Sequence, residues 1–302
     1  MEIYNRIAAN KRNSILLFIL FFLFVLALGY VFGLFLGIGY FGVIIAFVIA
    51  IFLIWISYYK SDSLVLKISR AREVKPNEYP FLENSVEGLA LAAGIPKPRL
   101  YVIDDSAPNA FATGRNPEKA VICVTTGLLK KLNRLELEGV IAHEMSHIKN
   151  YDIRFMILVA VMVGVVALLS HLIIRTFIWG SFYGGRGGGR KGGGGIELAI
   201  IAVGIILAIL TPIIAQLIRF AISRKREFLA DADGALLTRY PKGLADALRK
   251  ISSDKEELEA ANPATEHLYI SNPFKGKAKG FFTNLFNTHP PIQERIKALE
   301  GM

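Results

Sequence analysis

With 302 residues, 53% of them hydrophobic, and a net charge of +10, the chain is long enough for one modest folded domain together with membrane segments. Its single cysteine, Cys123, excludes an intrachain disulfide and any Cys-based metal cluster, and reads as a small apolar residue of a buried strand. The basic residues gather at the ends of apolar runs, a distribution that suits anionic lipid headgroups rather than nucleic acid.

The first long element is apolar. No charged residue occurs between Asn13 and Tyr59, a run about twice the ~20 residues that one bilayer crossing needs. Two spans are expected, near Ser14–Leu36 and Ile38–Tyr58, with Gly33, Gly37, Gly39 and Gly42 supplying the turn. Lys11 and Arg12 precede the run as in a signal peptide, but it is too long for an h-region and lacks a small-residue cleavage site, so it reads as a retained anchor.

Beyond it, Ser61–Pro80 is polar, and Phe81–Ala93 has apolar residues at helical spacing before the stop signals Gly94 and Pro96. Arg99–Ile103 and Ala120–Thr125 read as strands, with Pro108–Gly114 between them, so residues 99–125 are expected to form a small antiparallel meander. Its edge, through Asn109, Ala110, Phe111 and Ala112, could hold an extended peptide by main-chain hydrogen bonds. A plain structural hairpin has the same pattern.

Asn133 and Glu136 have the spacing of a capping box, and a helix should follow from about Arg134 to Asn150. On it lies His143-Glu144-Met145-Ser146-His147. Residues four apart on a helix lie about 40° apart around the axis, so both imidazoles can grip one metal ion while Glu144 projects beside it. Zinc suits such a site because it accepts imidazole nitrogen and carboxylate oxygen and lowers the pKa of a bound water to about 7, within reach of a neighbouring carboxylate base. Arg134, Glu136, Glu138 and Lys149 mark the helix as water-facing, which argues against proteolysis within the bilayer.

Phe155–Ile174 and Leu198–Ile218 are each long enough to cross a bilayer, bringing the expected spans to four. Basic residues before the first span, after the second and after the fourth orient both termini and the histidine motif to the cytoplasm. The connection between the last two spans disagrees, with Arg175, Arg186, Arg190 and Lys191 on what parity makes the outer side. Its Gly184–Gly195 stretch reads as a flexible linker, since it lacks the Gly-Lys-Ser/Thr of a phosphate-binding loop.

A catalytic zinc usually takes three protein ligands. The position ten residues after His143 is Ile153, and no acidic residue lies between Asp152 and Glu197, which should open on the far side of the bilayer. The third ligand is therefore sought past the fourth span, where Glu227 and Asp231 share a helix face. Glu227 is assigned to the metal and Asp231 to a ligand imidazole's free nitrogen. Asp233 points elsewhere and reads as a surface charge or cap. His289, before Pro290-Pro291, is either a group in the substrate cleft or a turn residue. His171 reads as interfacial, and His267 falls in a loop without an assignment.

Together, Asn109–Gly114, Thr125-Thr126-Gly127-Leu128-Leu129, His143–His147, Glu227-Phe-Leu-Ala-Asp231, Thr288-His289-Pro290-Pro291 and Arg295-Ile296 resemble the HtpX-like membrane zinc metallopeptidases of the M48 class over nearly the whole chain. The resemblance implies a mainly α membrane protein: four transmembrane helices plus a cytoplasmic α+β, zincin-like catalytic domain. Its parts would be an N-terminal hairpin (1–60), a catalytic part (61–152), a second hairpin (153–218) and a C-terminal cytoplasmic part (219–302). It further implies one Zn2+ on His143, His147 and Glu227 with Glu144 as base, in a multi-pass protein of the cytoplasmic membrane. The substrates would be misfolded or unassembled membrane proteins, with other quality-control proteases as candidate partners. A prenyl-protein peptidase would use the same local chemistry. A non-enzymatic scaffold with a structural metal would call for a fourth protein ligand.

Overall fold

The computed structural model describes residues 2–35, 37–162, 224–262, 265–274 and 290–302. The end of the expected third span, the Gly-rich stretch, the fourth span, His171 and His289 lie outside these residues.

Helices α1 (Glu2–Phe35) and α2 (Phe41–Tyr59) pack together as a hairpin. Gly37 and Gly39 make the turn at φ +70° and +52°, a region L side chains avoid. Gly33 and Gly42, expected in that turn, instead sit inside the helices where these cross: a Cβ on Gly42 would fall 2.6 Å from the Cα of Gly33. Ile7–Ala27 and Phe41–Tyr59 are long and apolar enough to cross a membrane, and Ile44, Val48, Phe52 and Trp55 turn outward, exposed. Helix α1 starts well before Ser14, so its first turns bring Asn10 and Lys11 against the folded domain.

The folded domain runs through α3 (Ser61–Ile68), β1 (Arg72–Glu73), α4 (Pro80–Ala93), β2 (Arg99–Ile103), β3 (Ala110–Thr113), β4 (Val121–Thr125), α5 (Thr126–Lys131) and α6 (Arg134–Lys149). Residues 152–162 are helical, and α7 (Arg224–Thr238), α8 (Pro241–Ser253) and α9 (Ile292–Glu300) follow. Helix α4 ends at Gly94, whose φ of +68° closes the last turn.

The four-stranded sheet has the order β1-β2-β4-β3 and is mixed, not an antiparallel meander: β4 runs parallel to β2 and antiparallel to β3. The connection 104–109 is too long for a tight hairpin and is pinned by Asp105, whose carbonyl accepts from the Gly127 amide at 2.8 Å. It carries β3 to the edge, and β4 fills the space between. A central strand is apolar on both faces, and Val121-Ile122-Cys123-Val124 is such a run. Ile122 and Val124 pack toward α4, α6 and α8, in a core with Leu82, Val140, Met145, Leu244 and Leu248. Val121 and Cys123 point the other way, onto Val65, Phe111, Ile157 and Tyr269.

Helix α6 begins with both bonds of its capping box: the Glu136 amide donates to Asn133 Oδ1 at 3.1 Å and the Asn133 amide to Glu136 Oε2 at 2.8 Å. It is the central helix of the domain rather than a water-facing one. Apart from Glu144, its acidic and basic residues lie at the two ends, and residues 139–148 are buried without a break. Even Glu136 is buried, with Lys250 Nζ at 2.7 Å.

Candidate metal centre

His143 and His147 stand one turn apart on α6, both almost fully buried, with ring planes at 89° and Nε2 atoms 3.2 Å apart. Glu227, in the first turn of α7, brings Oε1 to 3.5 Å from His147 Nε2 and Oε2 to 3.8 Å from His143 Nε2. One donor atom from each of the three lies within 4.8 Å of the others. The helices come this close because Gly234 faces α6: a Cβ there would stand 3.0 Å from the backbone nitrogen of His143.

The outer nitrogen of each ring meets an acid. His143 Nδ1 lies 2.9 Å from Asp231 Oδ1, and His147 Nδ1 lies 3.1 Å from Asp152 Oδ2. An ionised carboxylate only accepts, so each Nδ1 carries a proton, and each Nε2 is the nitrogen that presents a lone pair when the ring is neutral. Two lone pairs and a carboxylate then converge on one buried point, which is repulsive alone and a ligand set for a divalent cation. The donors present therefore fit a metal ion. The pocket also draws positive charge: burial disfavours a charged His147, yet the bond to Asp152 and the carboxylates of Glu227 and Glu144 lift its pKa to about 9. Burial dominates at His143, whose pKa is lowered despite Asp231.

Glu144 is 1% exposed, and this burial, reinforced by Glu227, raises its carboxyl to about 7, against the opposing pull of His147. The Ala112 backbone amide faces it and favours its charged form. Because Phe111 and Thr113 pair with β4, Ala112 turns its own amide off the sheet edge and toward α6.

Three further groups escaped the sequence reading. Arg295 of α9 is wholly buried and grips Asp231 through Nε at 2.8 Å and Nη2 at 2.7 Å, while Nη1 donates to the Ile270 carbonyl and lies 3.4 Å from Glu227. Burial alone would raise Asp231, but this guanidinium holds it at about 2. Asp152 follows the end of α6, where Tyr151 adopts φ +59° and turns the chain back. Its Oδ1 accepts from Asn10 Nδ2 at 2.8 Å and lies 3.1 Å from Arg226 Nε. The signal available for Arg295 was its position in the C-terminal Arg-Ile pair; for Asp152, an acid five residues past a ligand histidine. For Asn10, on the apolar helix α1, there was none.

Of the residues expected to line a substrate cleft, Asn109 donates to the Ser271 carbonyl at 2.9 Å, and Ala110 accepts from the Ile270 amide at 2.9 Å. Phe111 is buried against Tyr269. The outer edge of β3 is thus taken up by the chain itself at Ala110, leaving Ala112 as the position beside Glu144. Asp233 is neither a free surface charge nor a cap: its Oδ2 accepts from Ser146 Oγ at 3.1 Å and Asn150 Nδ2 at 3.0 Å. His267 is buried, its Nε2 3.0 Å from the Met156 carbonyl.

The profile of peptidase family M48 matches residues 76–302, which contain the whole cluster. The chain belongs to that family. The Protease HtpX homolog of Dictyoglomus thermophilum is 46% identical over 99% of this chain and 94% of its own length. That of Listeria monocytogenes serotype 4b (strain CLIP80459) is 47% identical over 99% and 100%. Among solved structures, S. mikatae Ste24p matches at 22% identity and a TM-score of 0.45, covering 82% of this chain and 58% of that one. Membership in M48 makes the chain an HtpX-like metalloprotease, and His143, His147 and Glu227 are the group that could bind its metal.

Proposed function

We propose that the protein is a zinc endopeptidase of the cytoplasmic membrane, with His143, His147 and Glu227 holding one Zn2+, Glu144 as general base, and misfolded or unassembled membrane proteins as substrates. The observation that carries this reading is the convergence of two histidine Nε2 atoms and one carboxylate beside the buried carboxyl of Glu144. Three donors, the number usual for catalytic zinc, are found among the described residues, whereas a closed structural site would take four.

When bound, the ion supplies Lewis acidity toward water and toward a peptide carbonyl. Glu144 takes a proton from water and returns it to the leaving amine. Burial raises this carboxyl toward neutrality, the direction that suits a group that must both take and return a proton. Ala112 keeps the carboxylate oriented from β3. Asp231 and Asp152 keep each Nδ1 protonated and each Nε2 free to donate its lone pair. Lys60, Lys67, Arg70 and Arg72 after α2, with Lys11 and Arg12 on α1, support a cytoplasmic catalytic domain.

The test is Glu144→Gln, compared with wild type in detergent on casein. Cleavage should fall by about 10²–10⁴-fold, the range for losing a general base, while bound zinc stays near one per chain. Wild-type turnover in that variant would remove Glu144 from the mechanism. Zinc retention unchanged by Glu227→Ala would remove Glu227 from the ligand set.

A further inference from the structure

At the C-terminal end of α2, Trp55, Tyr58 and Tyr59 form an aromatic cluster, with Tyr58 and Tyr59 ring centroids 4.9 Å apart. Two guanidiniums lie on it: Arg115, from the turn before β4, is 5.6 Å from the Tyr58 centroid and 5.0 Å from that of Tyr59, and Arg154 is 5.5 Å from Tyr58. Among the described residues neither arginine has a carboxylate partner. Beside them opens a cavity of about 310 Å³ lined by Tyr59, Asp62, Arg99, Arg115, Glu118 and Lys119. Arg99 is spent on Asp62 at 3.1 Å, so Arg115 and Lys119 are the cations left to meet a ligand.

We propose that this cavity binds the phosphate of an anionic phospholipid, with Arg115 and Lys119 as its donors. Such a site requires that α2 crosses the bilayer, as the proposed function holds. Tyr and Trp at the end of a span lie at headgroup level, so a cavity opening at Tyr59 is level with lipid phosphates. The neighbouring Arg154 opens the helical residues 152–162, whose Phe155, Leu158 and Val159 pack on α1 and α2, so it lies at the same boundary. A guanidinium on an aromatic face keeps its N–H edge free, and that edge matches a phosphate in two-point contact. An acidic protein ligand would have to reach the same place through the headgroups.

The full chain in mild detergent would be incubated with phosphatidylglycerol, phosphatidylcholine or inorganic phosphate, and retained ligand counted by native mass spectrometry. Wild type should keep phosphatidylglycerol in preference to phosphatidylcholine. Arg115→Gln and Lys119→Gln should each weaken that retention about fivefold, the effect of one basic residue at a charged surface. Arg115→Lys should lose less, and Lys255→Gln, outside the cavity, should match wild type. Circular dichroism melting of each variant reports whether it folds. Equal retention of phosphatidylglycerol by wild type and both Gln variants would overturn the site, as would equal wild-type retention of phosphatidylcholine or equal affinity for inorganic phosphate. Alkaline extraction from phosphatidylcholine vesicles separates the two ideas: a chain that washes off refutes the crossing by α2, whereas one that stays put but shows no lipid preference refutes the headgroup site alone.

Discussion

The buried charges behind the two histidines decide what the donors are. Arg295 neutralises Asp231 through two hydrogen bonds, and Asp231 fixes the proton on His143. Arg295→Met would leave that carboxylate buried without its cation, at a cost of about 3–5 kcal/mol. Chemical unfolding should show the loss, and Arg295→Lys should recover only part of it, since an ammonium cannot reproduce the fork. Asp152→Asn keeps the shape but lets the side chain present an N–H to His147. Zinc affinity, measured by chelator competition, should drop by about 10–100-fold, as for other groups that orient ligand histidines. Unchanged affinity would mean that Asp152 serves packing alone.

At the scale of elements, the centre is a junction of α6 with α7, and small residues set its spacing. Gly234→Ala would place a methyl 3.0 Å from the His143 nitrogen, and Gly139→Ala one 2.6 Å from the Leu244 nitrogen at the start of α8. Both clash with backbone, which cannot rotate away, and each should cost about 1–3 kcal/mol. They differ in consequence. Gly234→Ala separates Glu227 from the histidines and should lower zinc affinity as well as melting temperature, whereas Gly139→Ala should lower melting temperature with less effect on zinc. Equal zinc affinities for wild type and Gly234→Ala would show that the junction tolerates the displacement. The sheet follows from the same kind of packing: β4, apolar on both faces, lies between β2 and β3 with one core on each side of it.

For the whole molecule, the metal site ties together segments far apart in the chain. Asn10 of α1 bonds both the Asn150 carbonyl and Asp152, Lys11 lies over the Tyr151 ring, and α9 contributes Arg295. Removing the metal should therefore loosen the whole domain. With zinc at a hundred times its dissociation constant, stripping it with phenanthroline should lower the melting temperature by roughly 5–10 °C, and zinc should restore it. Asn10→Ala should weaken zinc binding severalfold although Asn10 lies on α1, outside the folded domain; an unaltered affinity would show that α1 and the centre are uncoupled.

Local rules made much of this readable from the chain alone. Helix periodicity put both imidazoles on one face, the capping box started α6 at the right residue, and one uncharged run, twice the length of a span and broken by glycines, announced α1 and α2. The pairing of Glu227 with Asp231 was visible because residues four apart share a face wherever a helix forms. What only the tertiary structure decided concerns contacts between distant segments. The parallel pairing of β2 with β4, the burial of a helix whose ends are charged, the capture of Asp152 by Asn10 and Arg226, and the grip of Arg295 on Asp231 have no local signature. Each depends on which surfaces meet after collapse, when a buried charge must find its partner wherever the fold has brought one.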